Sequence, residues 1–223
     1  MDWTAIWLSV RLAVATTLVL LACGVPLAYW IVYSPRRWKF LVEAIVALPL
    51  VLPPTVLGFY VLVAIGPLSP LGRAYVRLAG HGLPFTFEGL LIASVLYSMP
   101  FAVQPFAAEF ASVDRRLLEA SWSLGVSRVE TFRRIVIPLS VRGLVTGIVL
   151  SFAHTLGEFG VVLMVGGNLP GVTRTVSISI YDAVQSLDYS AASRTSLLLL
   201  IVSFVILGST YFLQRSVWLK PRR

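Results

Sequence analysis

The chain has 223 residues, of which 57% are hydrophobic and only 13% charged. That charged share is about half of what a soluble domain carries, so a water-soluble globular protein is excluded. The net charge of +8 would suit nucleic acid, but the Lys and Arg fall mainly in alternate loops between apolar runs. That is the positive-inside pattern of an inner-membrane protein, and no nucleic-acid partner is expected.

The sequence predicts an all-α integral membrane protein, one domain over residues 1–223. It has five apolar runs of bilayer-crossing length, near residues 12–33, 41–65, 89–110, 143–165 and 193–212. No basic cluster precedes the first run and no small-residue cleavage site ends it, so it reads as a retained helix, with Arg11 free to snorkel. The basic turn Ser34-Pro35-Arg36-Arg37-Trp38-Lys39 then belongs on the cytoplasmic side and the amino terminus outside.

The second run holds Pro49, Pro53 and Pro54 at mid-membrane depth. Prolines there remove backbone donors and kink or break the helix, which is tolerated only against protein or a water-filled path. The run is therefore either a kinked packing helix or a wall of a translocation path. An external loop over residues 66–87 follows, with a short interfacial helix expected over 72–79. The third run carries Pro100, Gln104 and Pro105, with Glu109 at its inner end.

Residues 111–142 form a polar, Arg-bearing segment that reads as two short helices and a turn. Ser112 or Asp114 caps the first, and Leu117, Leu118, Ala120 and Leu124 supply its apolar side chains. Gly125 stands where the chain needs a left-handed residue. Ser127 restarts the second helix with Glu130 in capping-box register, and Pro138 is expected to close it at Ile137.

In the fourth run Gly143, Gly147 and Ser151 recur every four residues, the spacing that lets membrane helices approach closely. His154 or Thr155, then Glu158, continue roughly that face. Glu158 falls about 22 Å along the helix from Gly143. An ionisable residue at that depth faces protein or water. A second external loop begins at Gly166, with an amphipathic helix expected over residues 176–184. The last run ends in Arg215, Lys220, Arg222 and Arg223, which places the carboxyl terminus inside.

The lone Cys23, inside an apolar run, excludes an intramolecular disulfide, and His81 and His154 lie too far apart for a zinc site of the usual spacing. No Gly-x-x-x-x-Gly-Lys-Ser/Thr phosphate loop occurs. His154 and Glu158 are one helical turn apart, and a buried pair that fixes packing or a gate weighs more than metal or catalysis. An intramembrane enzyme would need a catalytic set that the sequence does not offer.

The stretch Glu119-Ala120-Ser121-x-x-x-Gly125, nine residues, then Ile135-x-Ile137-Pro138 resembles the "EAA" loop of ABC-importer permeases. It departs from that family's pattern at Ser121 and Ile137. The resemblance implies a type I importer permease fold, with this loop forming a coupling helix in a cleft of an ATP-hydrolysing subunit. Arg116, Leu117, Glu119, Ala120, Ser121, Leu124, Gly125 and Pro138 are then the expected coupling residues.

Three further stretches resemble the molybdate (and tungstate) ABC permeases. They are Leu48-Pro49-Leu50-Val51-Leu52-Pro53-Pro54, Leu156-Gly157-Glu158-Phe159-Gly160 and Asn168-Leu169-Pro170-Gly171-x-Thr173-Arg174-Thr175. The resemblance implies a homodimer, two ATP-binding cassette subunits and an extracytoplasmic oxyanion-binding protein. It also implies a bacterial or archaeal cytoplasmic membrane. No cofactor is expected in this chain; ATP and Mg would sit on the partner subunit. Pro53, Pro54, Ser151, Thr155 and Glu158 are the candidates for the path or gate, and Arg73, Arg77 and Arg174 for docking the binding protein. Sulfate or thiosulfate permeases share much of this pattern, and an ATP-independent anion channel is the rival from another class.

Overall fold

The computed structural model describes residues 1–218, with side chains as far as residue 212, and among these all regular structure is helical. The side chain of Arg215 and residues Lys220, Arg222 and Arg223, expected as a basic inner end, lie outside the described residues.

Helix α1 (Trp3–Tyr33) begins earlier than the apolar run suggested, because Asp2 caps it, its Oδ1 accepting from the Ala5 amide at 3.0 Å. A basic turn leads to α2 (Lys39–Ala47), a 3₁₀ turn (Leu48–Leu50) and α3 (Pro54–Ile65). Lys39 Nζ donates to the Ile31 carbonyl across that turn at 3.0 Å. The proline-rich stretch bends the chain by 115° between Leu50 and Pro54, far more than a kink. The short helix α4 (Pro70–Ala79) is capped by Ser69 and ended by Gly80 at φ 77°. Helix α5 (Phe87–Ala111) runs through Pro100 and Pro105 without breaking.

Two short helices follow, α6 (Arg115–Ser123) and α7 (Arg128–Thr131). A π turn (Phe132–Val136) and α8 (Ile137–Leu139) continue the second. Pro138 therefore does not close the helix at Ile137: that residue keeps helical angles, φ −57° and ψ −51°. The wide turn explains why. The Ile137 amide reaches back five residues to the Phe132 carbonyl, the π pattern, which relieves the crowding that proline imposes on a regular helix. The break comes at Ser140, and the chain bends 74° there into α9 (Val141–Gly157).

The fourth apolar run is not one helix either. It breaks at Glu158 and Phe159, and α10 (Gly160–Gly166) continues it. Helix α11 (Val176–Gln185) follows the loop after α10, and α12 (Tyr189–Trp218) ends the described chain. The Ser9 hydroxyl of α1 accepts from the Val176 amide at 2.7 Å, which pins the start of α11. Among the described residues three helices are long and apolar enough to cross a membrane, α1, α5 and α12. The number reaches five if each of the two bent pairs, α2–α3 and α7–α9, is one span.

The core is built where α1, α5 and α9 meet. Leu20, Ala28, Ile31, Ala102, Val103, Phe106 and Phe110 are buried there together. Lipid tails are as apolar as these side chains, so close packing rather than water exclusion holds membrane helices together. The glycine stripe supplies it. A β-carbon on Gly143 would strike the Glu109 side chain and the Pro105 carbonyl, and one on Gly147 the Phe106 ring and the Ala102 carbonyl. By contrast only 6% of the apolar window of α12 is buried, against 44% for α1 and α5. Leu197, Leu200, Phe204 and Val205 of α12 are exposed and need lipid or another chain beside them.

Candidate functional site

The polar segment folds into a hairpin whose ends are set by local chemistry. Asp114, not Ser112, caps α6, accepting from the Arg116 amide at 2.9 Å. At the other end Gly125 takes φ 79°. Its amide donates to Trp122 and that of Val126 to Ser121, at 2.9 and 3.2 Å, the paired bonds of a Schellman end. Ser127 caps α7 by accepting from the Glu130 amide at 3.2 Å. Only half of the capping box forms, because the Glu130 carboxylate turns instead to Arg134 at 2.7 Å.

Leu118 is the hairpin's anchor, 2% exposed and packed into the main core. The two arms are locked by Ser121 Oγ and Thr131 Oγ1, 2.8 Å apart and both buried. That lock gives Ser121 a role that alanine could not fill. A groove of about 350 Å³ runs along the outside, lined by Leu117, Ala120, Leu124, Glu130, Arg134 and Ile135. Leu124 is 83% exposed at its rim. Glu119 and Arg116 lie on exposed faces of α6 rather than in the groove. Glu119 meets Arg115 at 3.3 Å, and a pair this open to water is worth only ~0.5 kcal/mol or less. Pro138 lies beyond the π turn, away from the groove-lining residues.

The other candidates cluster where two broken helices touch. Pro54 opens α3 against α10, so closely that a β-carbon on Gly160 would come within 2.7 Å of the Pro54 side chain. Gly58, one turn on, faces Met164 in the same way. Beside this contact lies an open cleft of about 610 Å³, lined by Pro54, Thr55, Tyr97, His154, Glu158 and Phe159. Pro53 caps α3 next to it.

Ser151 and Thr155 do not line the cleft. Both are buried, and their hydroxyls donate to the carbonyls four residues back, at 2.7 and 2.9 Å. Ser98 of α5 connects this face to His154, lying 2.8 Å from Thr155 Oγ1 and 2.9 Å from His154 Nδ1. The proton count fixes the order. Thr155 spends its one proton on Ser151, so Ser98 donates to Thr155 and accepts from His154, which carries its proton on Nδ1. Phe101 stacks on that imidazole at 3.9 Å. Glu158 is 4% exposed, and neither carboxylate oxygen meets a partner in hydrogen-bond geometry among the described residues. Ser94 and Tyr97 of α5 lie alongside it. His154 and Glu158 therefore do not bond to each other. Among the described residues no group of three His, Cys, Asp or Glu side chains is placed to hold a metal.

Arg174, in the loop before α11, is engaged internally. Its Nε donates to Asn168 Oδ1 at 2.6 Å, Asn168 donates to Asp182 at 2.7 Å, and the Arg174–Asp182 pair spans 3.5 Å. The network ties the loop that follows α10 to α11. Arg73 and Arg77 remain exposed, one turn apart on α4. Ser98, Thr131, Tyr97 and Gly160 were not singled out as site residues from the sequence; the partners of Ser98, Tyr97 and Gly160 lie far along the chain, and Thr131 meets Ser121 across the hairpin turn.

The family model described as "binding-protein-dependent transport system inner membrane component" matches residues 21–222. The molybdenum transport system permease protein ModB of Azotobacter vinelandii is 46% identical over 214 residues, covering 96% of this chain and 95% of its own length. ModB of Escherichia coli K12 is 31% identical over 215 residues, 96% of this chain and 94% of its own. In fold the chain is similar to a subunit of the MetNI methionine ABC transporter in an inward-facing conformation. The TM-score is 0.74 at 15% identity, over 97% of this chain and 96% of that one. It is also similar to a chain of a bacterial alginate ABC transporter in complex with a periplasmic protein. There the TM-score is 0.77 at 18% identity, over 96% of this chain and 78% of that one.

Proposed function

This chain belongs to the binding-protein-dependent transport system inner membrane components, and among them to the molybdate ABC-transporter permeases; from that premise we propose that it carries molybdate or tungstate inward through the cytoplasmic membrane, driven by ATP hydrolysed on a partner. The observation that carries the reading is the hairpin. It is anchored by Leu118, locked by Ser121 and Thr131, and presents Leu117, Ala120 and Leu124 in a groove that stands open among the described residues.

In this reading the chain works as a homodimer on two ATP-binding subunits, with ATP and Mg held there. An extracytoplasmic binding protein delivers the oxyanion, and Arg73 and Arg77 offer it positive charge. Closure of the ATP-binding subunits moves the two hairpins together. Because the hairpin continues through the π turn into α9, that movement reaches the broken helices at Pro54 and Glu158. The cleft there is the section of path that opens outward and then inward. Such a cycle needs two states biased by ATP at one end and by the binding protein at the other.

Uptake by proteoliposomes holding the chain, the ATP-binding subunit and the binding protein tests this. Radiolabelled molybdate should enter only with internal ATP on the subunit side, and unlabelled tungstate should compete where sulfate does not. Competition by sulfate alone would reassign the anion, and molybdate flux through the chain by itself would make it a channel.

A further inference from the structure

A second cleft, of about 580 Å³, opens between the last turns of α1 and the start of α7. The rings of Pro26, Tyr29, Trp30 and Phe132 line it, and Arg36 and Arg128 stand beside them. Tyr29 meets Phe132 edge-on at 4.7 Å, which joins the two walls. Pro26 lies about 10 Å along α1 from Tyr33, so the slot runs from the interface to the depth of acyl chains.

The two guanidinium groups are held but not neutralised. Arg36 rests over the Trp38 ring and Arg128 over the Trp122 ring, each 5.5 Å from the centroid. Both arginines are exposed, and neither forms an ion pair among the described residues. Two cations without an anion thus stand over an aromatic slot cut into the flank of a membrane-crossing helix.

We propose that this cleft binds one anionic phospholipid, its phosphate between Arg36 and Arg128 and an acyl chain against Pro26, Trp30 and Phe132. Charge complementarity calls for an anion, and depth identifies its source. The slot's inner wall belongs to α1, at a level that a soluble ATP-binding subunit does not reach. The groove facing such a subunit has other residues. A lipid seated here joins the α1–α2 turn to the base of the hairpin, and so braces the element that transmits movement. Which leaflet supplies it rests on the orientation read above; the site does not.

The test is native mass spectrometry of the assembled protein released from nanodiscs of mixed phosphatidylglycerol and phosphatidylcholine. The wild type should retain phosphatidylglycerol, one per copy, in preference to phosphatidylcholine. Retention should fall roughly fivefold for Arg36→Gln or Arg128→Gln and roughly thirtyfold for both, from the attraction of each basic residue to anionic headgroups. Arg37→Gln, exposed on the same turn but outside the cleft, should leave retention unchanged and shows that the fold survives a lost charge there. Equal retention by the double variant, or equal retention of phosphatidylcholine, overturns the proposal. So does a photo-crosslinker at Val129 that captures a second copy or the ATP-binding subunit instead of lipid. The readout needs neither nucleotide nor molybdate, so its failure is separate from any failure of the importer reading.

Discussion

Two regions of this chain interrupt a helix, and they do so by opposite means. The α6–α7 hairpin is closed by its own sequence: an Asp114 cap, a left-handed Gly125, a Ser127 cap and a hydroxyl lock between residues ten positions apart. The break between α9 and α10 has no side-chain cap, and Glu158 passes through it in extended conformation. What holds it is contact from outside, Pro54 against Gly160 and Gly58 against Met164. The first region is held by bonds made within it, the second by contacts from its neighbours.

The comparison can be broken at several points. Gly147→Leu forces a side chain into the Phe106 ring and the Ala102 carbonyl, and it should cost on the order of 3 kcal/mol. Thermal unfolding in detergent would show it, together with loss of the assembled protein. Gly125→Pro demands φ near −65° where the backbone sits at 79° and removes the amide that donates to Trp122. It should cost about 2 kcal/mol, felt locally in the hairpin, and abolish stimulation of the ATPase by the loaded binding protein. Wild-type stimulation in that variant would show that the hairpin's shape does not matter.

Thr131→Val leaves the buried Ser121 hydroxyl without its partner and should cost about 1–2 kcal/mol. Adding Ser121→Ala should recover part of that loss, which a double-mutant cycle of melting temperatures would detect. Glu158→Gln tests the other region. With Ser94 and Tyr97 alongside but no partner in hydrogen-bond geometry among the described residues, this carboxyl should be replaceable at under about 1 kcal/mol, while molybdate uptake falls. A large drop in melting temperature would mean that the fold itself depends on the carboxylate. The smallest effect belongs to Arg115→Ala, which loses an ion pair lying open to water. Its cost should stay below about 0.5 kcal/mol and vanish in high salt.

How much of this was readable in advance follows the same division. The hairpin's caps, its glycine and the close-packed stripe at Gly143, Gly147 and Ser151 were legible, because each rests on residues within a few positions of one another. The short helices α4 and α11, in the loops between apolar runs, were placed for the same reason. The exceptions within the hairpin were the Glu130 side chain, which pairs with Arg134 rather than closing the capping box, and Pro138. A proline usually ends a helix, and only a π turn upstream, which has no sequence signature of its own, let the helix continue. The break at Glu158 was not legible, since an apolar run of that length reads as one span. Nor was the Ser98–Thr155–His154 chain, in which Ser98 stands 56 and 57 positions from its partners. Of the path candidates, Pro54 and Glu158 meet at the cleft, while Ser151 and Thr155 turn back onto their own helix. Hydroxyls at small-residue spacing have both uses, and only the neighbouring helix decides between them.

Leu124, 83% exposed at the groove's rim, is where the hairpin would meet an ATP-hydrolysing subunit. With Cys23 replaced by serine and Leu124→Cys introduced, a short bifunctional thiol reagent should join this chain to an ATP-binding subunit carrying cysteines in its facing cleft, and nucleotide should change the yield. An introduced thiol that forms no such link, and is instead modified on intact cells by a reagent that cannot cross the membrane, would contradict it.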